Sequence, residues 1–293
     1  MACVWFLRPG WRGLRGTTLR AAWCWVVLAV GGITGAELSL ALSGPNAGAH
    51  APTLRFAAAV LVFCPIMAVL GGKRPQNVAW QFIVLTLWGI LALPAFEIWM
   101  RGRGETLTID PVRSWFLMVL VVVGAVNHLP TRFGLATTHS AVGQILLLWS
   151  HLPFGGLTEW RPPIWLAMVF LLGSVWTARR AAARASHTPD SARDVVELRP
   201  WSFVWRDFRD WYGIVWSMRV MERVNASPEM HDGPLTLEWD GFVWRGESPP
   251  PDNHTEYESS SILLETAAGQ SLRALMRRFV SAEWIDERLR AAD

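Results

Sequence analysis

The amino-acid sequence predicts a bundle of about six transmembrane helices followed by a small α+β domain in the cytoplasm. Hydropathy is the first observation, because 52% of the 293 residues are hydrophobic, 17% are charged and mean hydropathy is +0.24. Charge is divided unevenly, since residues 21–178 are almost uncharged outside short connectors. Tryptophan placement is the third observation, because twelve of the nineteen lie in the first 176 residues, mostly beside apolar runs.

The apolar runs set the number of predicted spans. A straight helix needs about 20 apolar residues to cross about 30 Å of hydrocarbon. Two of the six runs reach that length by themselves, so five spans, or four with a re-entrant segment, are the alternatives. Tryptophans beside the runs suit the level where hydrocarbon meets lipid headgroups. The spans are predicted near residues 21–42, 56–71, 78–100, 115–129, 137–152 and 164–178.

Basic residues near the span ends predict the orientation of the bundle. The N-tail, residues 1–20, carries four arginines, and the connectors on the same predicted side add Lys73, Arg74 and Arg132. We therefore expect both termini in the cytoplasm and the bundle in a bacterial cytoplasmic membrane. A cleaved signal peptide over the first span is the alternative, although the run is long for one.

Four ionisable side chains toward the outer ends of the spans are candidate substrate or ion sites, because such residues are costly within a bilayer. Three of them would form a cluster able to hold an ion or relay a proton. The alternative is that each side chain extends separately to the nearest interface. The four candidates are Glu37, Glu97, His151 and Glu159.

Two prolines and one basic loop complete the candidates of the bundle. Pro65 and Pro94 lie inside spans two and three, where a missing backbone donor would leave a carbonyl free, as at the sites of some transporters. Lys73 and Arg74 follow two glycines in a short connector, so we expect them to contact headgroups or phosphate. A turn that only sets topology is the alternative.

Several classes of function receive no support from the sequence. Three cysteines without short spacing predict no zinc site, and we expect neither a metal nor another cofactor. A net charge of +3 is too small to indicate a nucleic-acid surface. No catalytic motif is recognised.

The tail is predicted to follow a linker at residues 179–199 and to form a tryptophan-rich domain over residues 200–245. Apolar residues from Trp201 to Met218 recur every three or four positions, which predicts one amphipathic helix ending near Asn225. Its polar face would carry the neighbouring arginines and aspartates. The helix packs into a soluble core or, in the alternative, lies in the membrane interface.

A β-hairpin is predicted to cover this helix. Asp240-Gly241 between alternating strands is typical of a two-residue turn, which would pair Trp239 with Phe242. Residues 246–260 are predicted to be a disordered linker, and residues 261–293 a C-terminal helix. The tryptophans expected on the interaction surface are Trp201, Trp205, Trp211, Trp239 and Trp244.

These patterns favour a non-enzymatic membrane anchor that presents an aromatic-rich domain to a cytoplasmic protein partner through residues 200–293. The bilayer is the other expected partner. A small transporter using Glu37, Glu97 and the proline-kinked spans is the first alternative. A membrane enzyme acting on a lipid-linked substrate is the second.

Overall fold

The computed structural model of the protein describes residues 14–43, 50–101, 107, 109–152, 163–184, 198–227, 230, 235–245 and 268–292. The chain divides into two compact units, residues 1–181 and residues 182–293, which we call the apolar unit and the tail unit. Most of the predicted N-tail, most of the linker at 179–199, the whole of the linker at 246–260 and Glu159 lie outside the described residues.

The apolar unit is a helical bundle, as the sequence predicts. Five of its helical stretches are long and apolar enough to cross a membrane: Leu19–Ser43, Thr53–Leu70, Arg74–Arg101, Pro111–His128 and Ile164–Arg184. The helices are α1 (Leu19–Ser43), α2 (His50–Ala59), α3 (Cys64–Leu70), α4 (Asn77–Arg101), α5 (Pro111–His128), α6 (Gly134–Leu147) and α7 (Ile164–Arg184), with 3-10 turns at Val60–Phe63, Arg74–Gln76 and Trp149–His151.

The run at residues 137–152 differs from the other five. Its helix, α6, has 14 residues and is followed by the turn Trp149–His151. Fourteen residues rise by about 21 Å, which is less than the thickness of the hydrocarbon core. The structure thus supports a membrane helical bundle with five long apolar helices, and a sixth crossing stays a prediction.

Pro65 does not leave the free carbonyl that we expected from the sequence. In an α-helix the carbonyl of Leu61 would accept from residue 65, which has no N–H. Here the chain tightens to a 3-10 helix over Val60–Phe63, and the N–H of Cys64 donates to the Leu61 carbonyl instead. Pro94 lies buried inside α4, which continues through it.

Three tryptophans of the apolar unit bind its helices to one another. The indole nitrogen of Trp25 donates to Gln81 Oε1 at 2.7 Å. That of Trp80 donates to the Met67 carbonyl at 2.7 Å, and that of Trp88 to the Ala57 carbonyl at 3.0 Å. Interfacial anchoring alone therefore does not account for these three residues. The exposed tryptophans at positions 99, 115, 165 and 176 remain compatible with it.

The tail unit contains the predicted amphipathic helix, but the helix is broken. Helix α8 (Arg199–Asn225) has a non-helical residue at Gly213, with φ 76° and ψ −177°, a conformation essentially restricted to glycine. The hydroxyl of Ser217 donates to the Gly213 carbonyl at 2.8 Å and supports the break. The prediction of one continuous helix was wrong, because periodicity does not reveal a local backbone reversal.

The predicted hairpin is present with a different register. Strands β1 (Leu235–Leu237) and β2 (Phe242–Trp244) pair antiparallel, with Leu237 opposite Phe242 and Leu235 opposite Trp244. The loop therefore has four residues, and the expected pairing of Trp239 with Phe242 was wrong. A shift of two positions keeps the same side chains on the inner face, because strand periodicity is two.

The C-terminal part of the chain completes the tail core. Residues 268–276 form α9 and Ala282–Ala292 form α10, so the predicted single helix is interrupted between them. The ring of Phe279, in that interruption, lies 5.4, 5.3 and 4.9 Å from the rings of Phe208, Tyr212 and Trp216. The Tyr212 hydroxyl donates to the Phe279 carbonyl at 3.1 Å. The core of this unit thus depends on residues beyond 245.

A substitution at Gly71 should destabilise the apolar unit. A Cβ added at Gly71 would lie 2.0 Å from ring atoms of Trp80, whereas one added at Gly35 would meet nothing within 4 Å. We expect Gly71→Ala to lower the free energy of unfolding by about 1–3 kcal/mol through overpacking. Gly35→Ala, the matched control, should leave it unchanged or raised. Thermal unfolding of the full chain in detergent measures both, and equal melting temperatures would contradict this packing.

Truncation should show whether the tail domain ends near residue 245 or includes the C-terminal segment up to residue 293. We expect a fragment of residues 198–293 to unfold cooperatively in urea, and a fragment of residues 198–245 to lack a cooperative transition. The shorter fragment loses the buried side chains of Leu272, Met276, Phe279 and Trp284, and each large apolar truncation of a core costs several kcal/mol. Near-ultraviolet circular dichroism is the measurement. Native-like signals from the shorter fragment would show that the C-terminal segment is dispensable.

Candidate functional site

The best-defined polar contact of the apolar unit joins Glu37 of α1 to Arg55 of α2. Arg55 Nε donates to one carboxylate oxygen and its terminal nitrogen to the other, both at 2.6 Å. The side chains are 26% and 45% exposed for Glu37 and Arg55 respectively. This two-point geometry is the strongest form of an arginine–carboxylate contact. Glu37 is therefore engaged in holding two helices together.

The other intramembrane candidates do not join Glu37 in a metal site. The ring of His151 packs edge-on against Phe56, with centroids 4.7 Å apart, and Glu97 lies on an exposed part of α4. Within the part of the chain that the structure describes, no group of three or more His, Cys, Asp or Glu side chains could hold a metal ion. The expected ion-binding cluster of Glu37, Glu97 and His151 is thus not formed.

The basic loop is held against the start of α1. A terminal nitrogen of Arg74 donates to the Gly16 carbonyl at 3.3 Å. Behind the loop, the ring of Trp80 covers Gly71. Arg74 is exposed and Lys73 is half-buried, so both residues lie at a firmly built turn.

Trp205 belongs to the core of the tail unit and not to its surface. Its side chain is completely buried, and its indole nitrogen donates to the carbonyls of Glu238 and Trp239 at 3.0 and 3.1 Å. The expectation that Trp205 contributes to an interaction surface was wrong, since α8 uses it to hold the hairpin loop. Trp201, Trp211, Trp239 and Trp244 are half-buried.

Arg209 fixes the same loop with its charge. It is 8% exposed, and NH1 donates to the Trp239 carbonyl at 2.8 Å and to Asp240 Oδ1 at 2.9 Å. Its Nε donates to Asp210 Oδ1 at 3.0 Å, and its guanidinium lies 4.9 Å from the centre of the Trp239 ring. These contacts explain the four-residue loop, because a two-residue turn would give Trp239 a strand partner instead.

A second ion pair joins α8 to the last helix. Asp207 of α8 binds Arg288 Nε, and the Arg288 guanidinium lies 3.5 Å from the centre of the Trp284 ring. Asp207 and Arg288 have side chains 10% and 18% exposed. Periodicity assigned Asp207, Arg209 and Asp210 to a solvated face, but all three are buried. In the sequence, the one indication of this burial was that charges of opposite sign alternate close to aromatic residues.

Polar side chains of α8 also complete the edge of the sheet. The Asn225 amide accepts from the Leu237 N–H at 2.8 Å and donates to the Leu237 carbonyl at 2.9 Å. The hydroxyl of Ser202 accepts from the Phe242 N–H at 3.1 Å. The Asn225 side chain therefore satisfies the backbone N–H and carbonyl of Leu237, as a neighbouring strand would. The sequence showed it as a helix end and gave no sign of this contact.

The second segment of α8 has one buried face and one partly exposed face. Trp216, Val220 and Val224 are buried. On the other side lies what we call the outer face of α8, which consists of Ile214, Val215, Met218 and Met221. Met218 is 47% exposed and the other three are half-buried.

Removing the Asp207 carboxylate should weaken the tail unit far more than removing an exposed one. Asp207→Asn leaves a largely buried arginine without its counter-charge, which costs about 3 kcal/mol or more. Asp240→Asn, the matched control, changes a side chain that is 74% exposed and should cost about 1 kcal/mol or less. Urea unfolding of residues 198–293 measures both. Similar midpoints for the two variants would show that the Asp207–Arg288 contact contributes little.

Comparison with known proteins assigns the chain to no family. No family model matches it, and no curated protein and no solved structure matches it either. Its function therefore has to be argued from the geometry of the two units themselves.

Proposed function

We propose that the protein is a membrane-anchored interaction protein, in which the apolar unit is the anchor and the tail unit presents a surface to a protein partner. The observation that carries this proposal is the outer face of α8, with Met218 47% exposed on a folded and otherwise well-packed unit. The buried charged groups of that unit, Asp207, Arg209 and Asp210, are used in contacts that hold its own fold together.

The chemistry of the outer face suits a protein surface. Met218 and Met221 are flexible, polarizable side chains that adapt to an apolar partner. Arg219 and Arg223 are exposed on the same segment, beside Glu222. Interfaces commonly combine an apolar centre with a charged rim. We therefore expect a partner with an apolar patch that is bordered by acidic side chains.

The proposed location is a bacterial cytoplasmic membrane, with both termini in the cytoplasm. This orientation requires an even number of crossings. The residues that contact α6 support a crossing by this helix, which would be the sixth. A Cβ on Gly143 would lie 2.8 Å from Leu171, and one on Gly173 would lie 3.2 Å from His139, so α6 runs antiparallel to α7. His151, beyond the end of α6, packs against Phe56, next to the Glu37–Arg55 pair. These contacts support the proposal that α6 and the turn after it make a sixth crossing.

The transporter and enzyme interpretations have less support from the geometry. A transporter would need Glu37 and Glu97 at one polar cavity, but Glu37 is bound to Arg55 and Glu97 lies on an exposed part of α4. The membrane-enzyme interpretation needs two of its acidic or histidine groups in direct contact. Among the described candidates, Glu37 contacts Arg55 and His151 contacts Phe56.

The proposal can be tested by placing a photocrosslinking amino acid in the outer face. With benzoylphenylalanine at Met221 in the full chain, we expect a discrete protein adduct in living cells. The additional change Met218→Glu should abolish that adduct, because a carboxylate in an apolar contact must be desolvated. The same crosslinker at Arg290, on the exposed side of α10, should give no such adduct.

Three outcomes would contradict the proposal. Adducts with lipid alone would show that the outer face lies on the membrane. An adduct that persists with Met218→Glu would place the contact elsewhere, and the absence of any adduct above that of the Arg290 site would remove the proposed surface.

A further inference from the structure

Acidic side chains lie at one end of the apolar unit. Within its described part the acidic residues are Glu37, Glu97 and Asp110. Glu37 lies in the last turns of α1, Glu97 in the last turn or so of α4, and Asp110 caps the start of α5. Because successive helices run in alternate directions, these positions share one end of the bundle. Contacts in the structure support the alternation, since Glu37 meets Arg55 at the start of the second long stretch.

The opposite end, which we call the basic end, has cations from several segments. It comprises the turn at residues 14–18, the loops at 71–76 and 129–133, and the last turns of α7. The hydrogen bond from Arg74 to the Gly16 carbonyl brings the first two segments together. The basic side chains of this end are Arg15, Arg20 in the first turn of α1, Lys73, Arg74, Arg132, Arg179 and Arg180.

The centre of the basic end is a turn that is anchored by buried side chains and a hydrogen bond. Leu14 and Thr17 are buried, and the Thr17 hydroxyl donates to the Leu14 carbonyl at 2.9 Å. The exposed Arg15 therefore projects from an anchored turn, next to the residue that Arg74 binds. An arginine has five N–H donors, so one bond from Arg74 to Gly16 leaves others for a further acceptor.

A third observation places this end at the level of headgroups. On α7 the guanidinium of Arg180 lies 4.4 Å from the centre of the Trp176 ring, and Trp176 is 51% exposed. Tryptophan and arginine together are typical of the boundary between hydrocarbon and headgroups. The hydropathy of α7 falls at this point, where Arg179 and Arg180 follow an apolar run.

We propose that Arg15 and Arg74 bind the phosphate of an anionic phospholipid headgroup at the basic end. The guanidinium fork matches the oxygens of a phosphodiester, and the geometry is preorganised by the contact of Arg74 with Gly16. Among the described residues of the apolar unit, no carboxylate lies at this end to compete for the two cations. The inference needs the apolar unit to cross a membrane, but it does not depend on the protein partner proposed for the outer face of α8.

The test uses the full chain in a zwitterionic or non-ionic detergent, with melting followed by tryptophan fluorescence. Phosphatidylglycerol should raise the melting temperature in a saturable way, because a ligand that binds the folded state stabilises it. Phosphatidylcholine at the same concentration should not. Replacing Arg15 and Arg74 together by glutamine should weaken the apparent affinity roughly 30-fold, because each cation near an anionic surface contributes about fivefold to binding.

Matched variants separate lipid binding from other causes. Arg101→Gln with Arg113→Gln removes the same charge at the acidic end and should keep the phosphatidylglycerol response. Arg74→Lys keeps the charge but loses the guanidinium fork, so it should retain only part of the response. If Arg74→Gln alone leaves the phosphatidylglycerol response unchanged, Arg74 does not contact the headgroup and the proposal is wrong. An equal effect of inorganic phosphate would assign the site to free phosphate, and an equal loss in the acidic-end variant would show a nonspecific charge effect.

The proposal remains testable if the double variant fails to fold. In that case the response of the unmodified chain to phosphatidylglycerol is measured between 50 and 500 mM NaCl, concentrations that span roughly a threefold change in the Debye length. A response that disappears with salt supports a phosphate contact at exposed arginines. A response that salt does not change would overturn it, because an apolar contact with acyl chains would then explain the stabilisation.

Discussion

Both units contain interruptions of regular structure, where backbone carbonyls lie in apolar surroundings. Each of these carbonyls needs a hydrogen-bond donor. At Pro65 the N–H of Cys64 shifts to the Leu61 carbonyl, and at the end of α3 the Trp80 indole bonds the Met67 carbonyl. The hairpin loop of the tail unit is held in the same way, by donors from Trp205 and Arg209. An unsatisfied buried carbonyl costs more than a typical hydrogen bond contributes, so these donors decide where each interruption can exist. These tryptophans thus donate hydrogen bonds that hold the fold together, in addition to filling apolar space in the core.

The tail unit uses buried charge to select one arrangement of its helices and hairpin. Arg209 contacts two carboxylates, one carbonyl and one ring, and these partners come from α8 and the hairpin loop. Arg288 connects α10 to Asp207 in a comparable way. Buried ion pairs are weak evidence for net stability, but a missing partner leaves an uncompensated charge, so alternative packings are penalised. This constraint explains why an apparently polar face of α8 is buried. The outer face of α8, which we propose as the interaction surface, lies beyond the Gly213 break.

The apolar unit has different chemistry at its two ends. One end joins neighbouring helices through the two-point contact of Glu37 with Arg55 and the packing of His151 on Phe56. The other end concentrates arginines around a turn and a loop held together by Arg74 and Gly16. A bilayer has the same asymmetry, because the negative surface potential of its cytoplasmic leaflet attracts juxtamembrane cations. The distribution of charge is thus part of the physical support for the proposed orientation.

Hydropathy and periodicity by themselves determined the class of the fold. They identified the apolar bundle, the amphipathic helix from residue 201, the hairpin near Asp240-Gly241 and the inner faces of both strands, because burial of apolar area is a property of local pattern. Tertiary structure decided the hairpin register, the break at Gly213, the interruption before α10 and the burial of Asp207, Arg209 and Asp210. It also paired Glu37 with Arg55 and moved Trp205 from the expected surface to the core. Apart from the break at Gly213, which is a local backbone reversal, these features depend mainly on contacts between residues distant in the chain, and such contacts leave no periodic trace in one sequence.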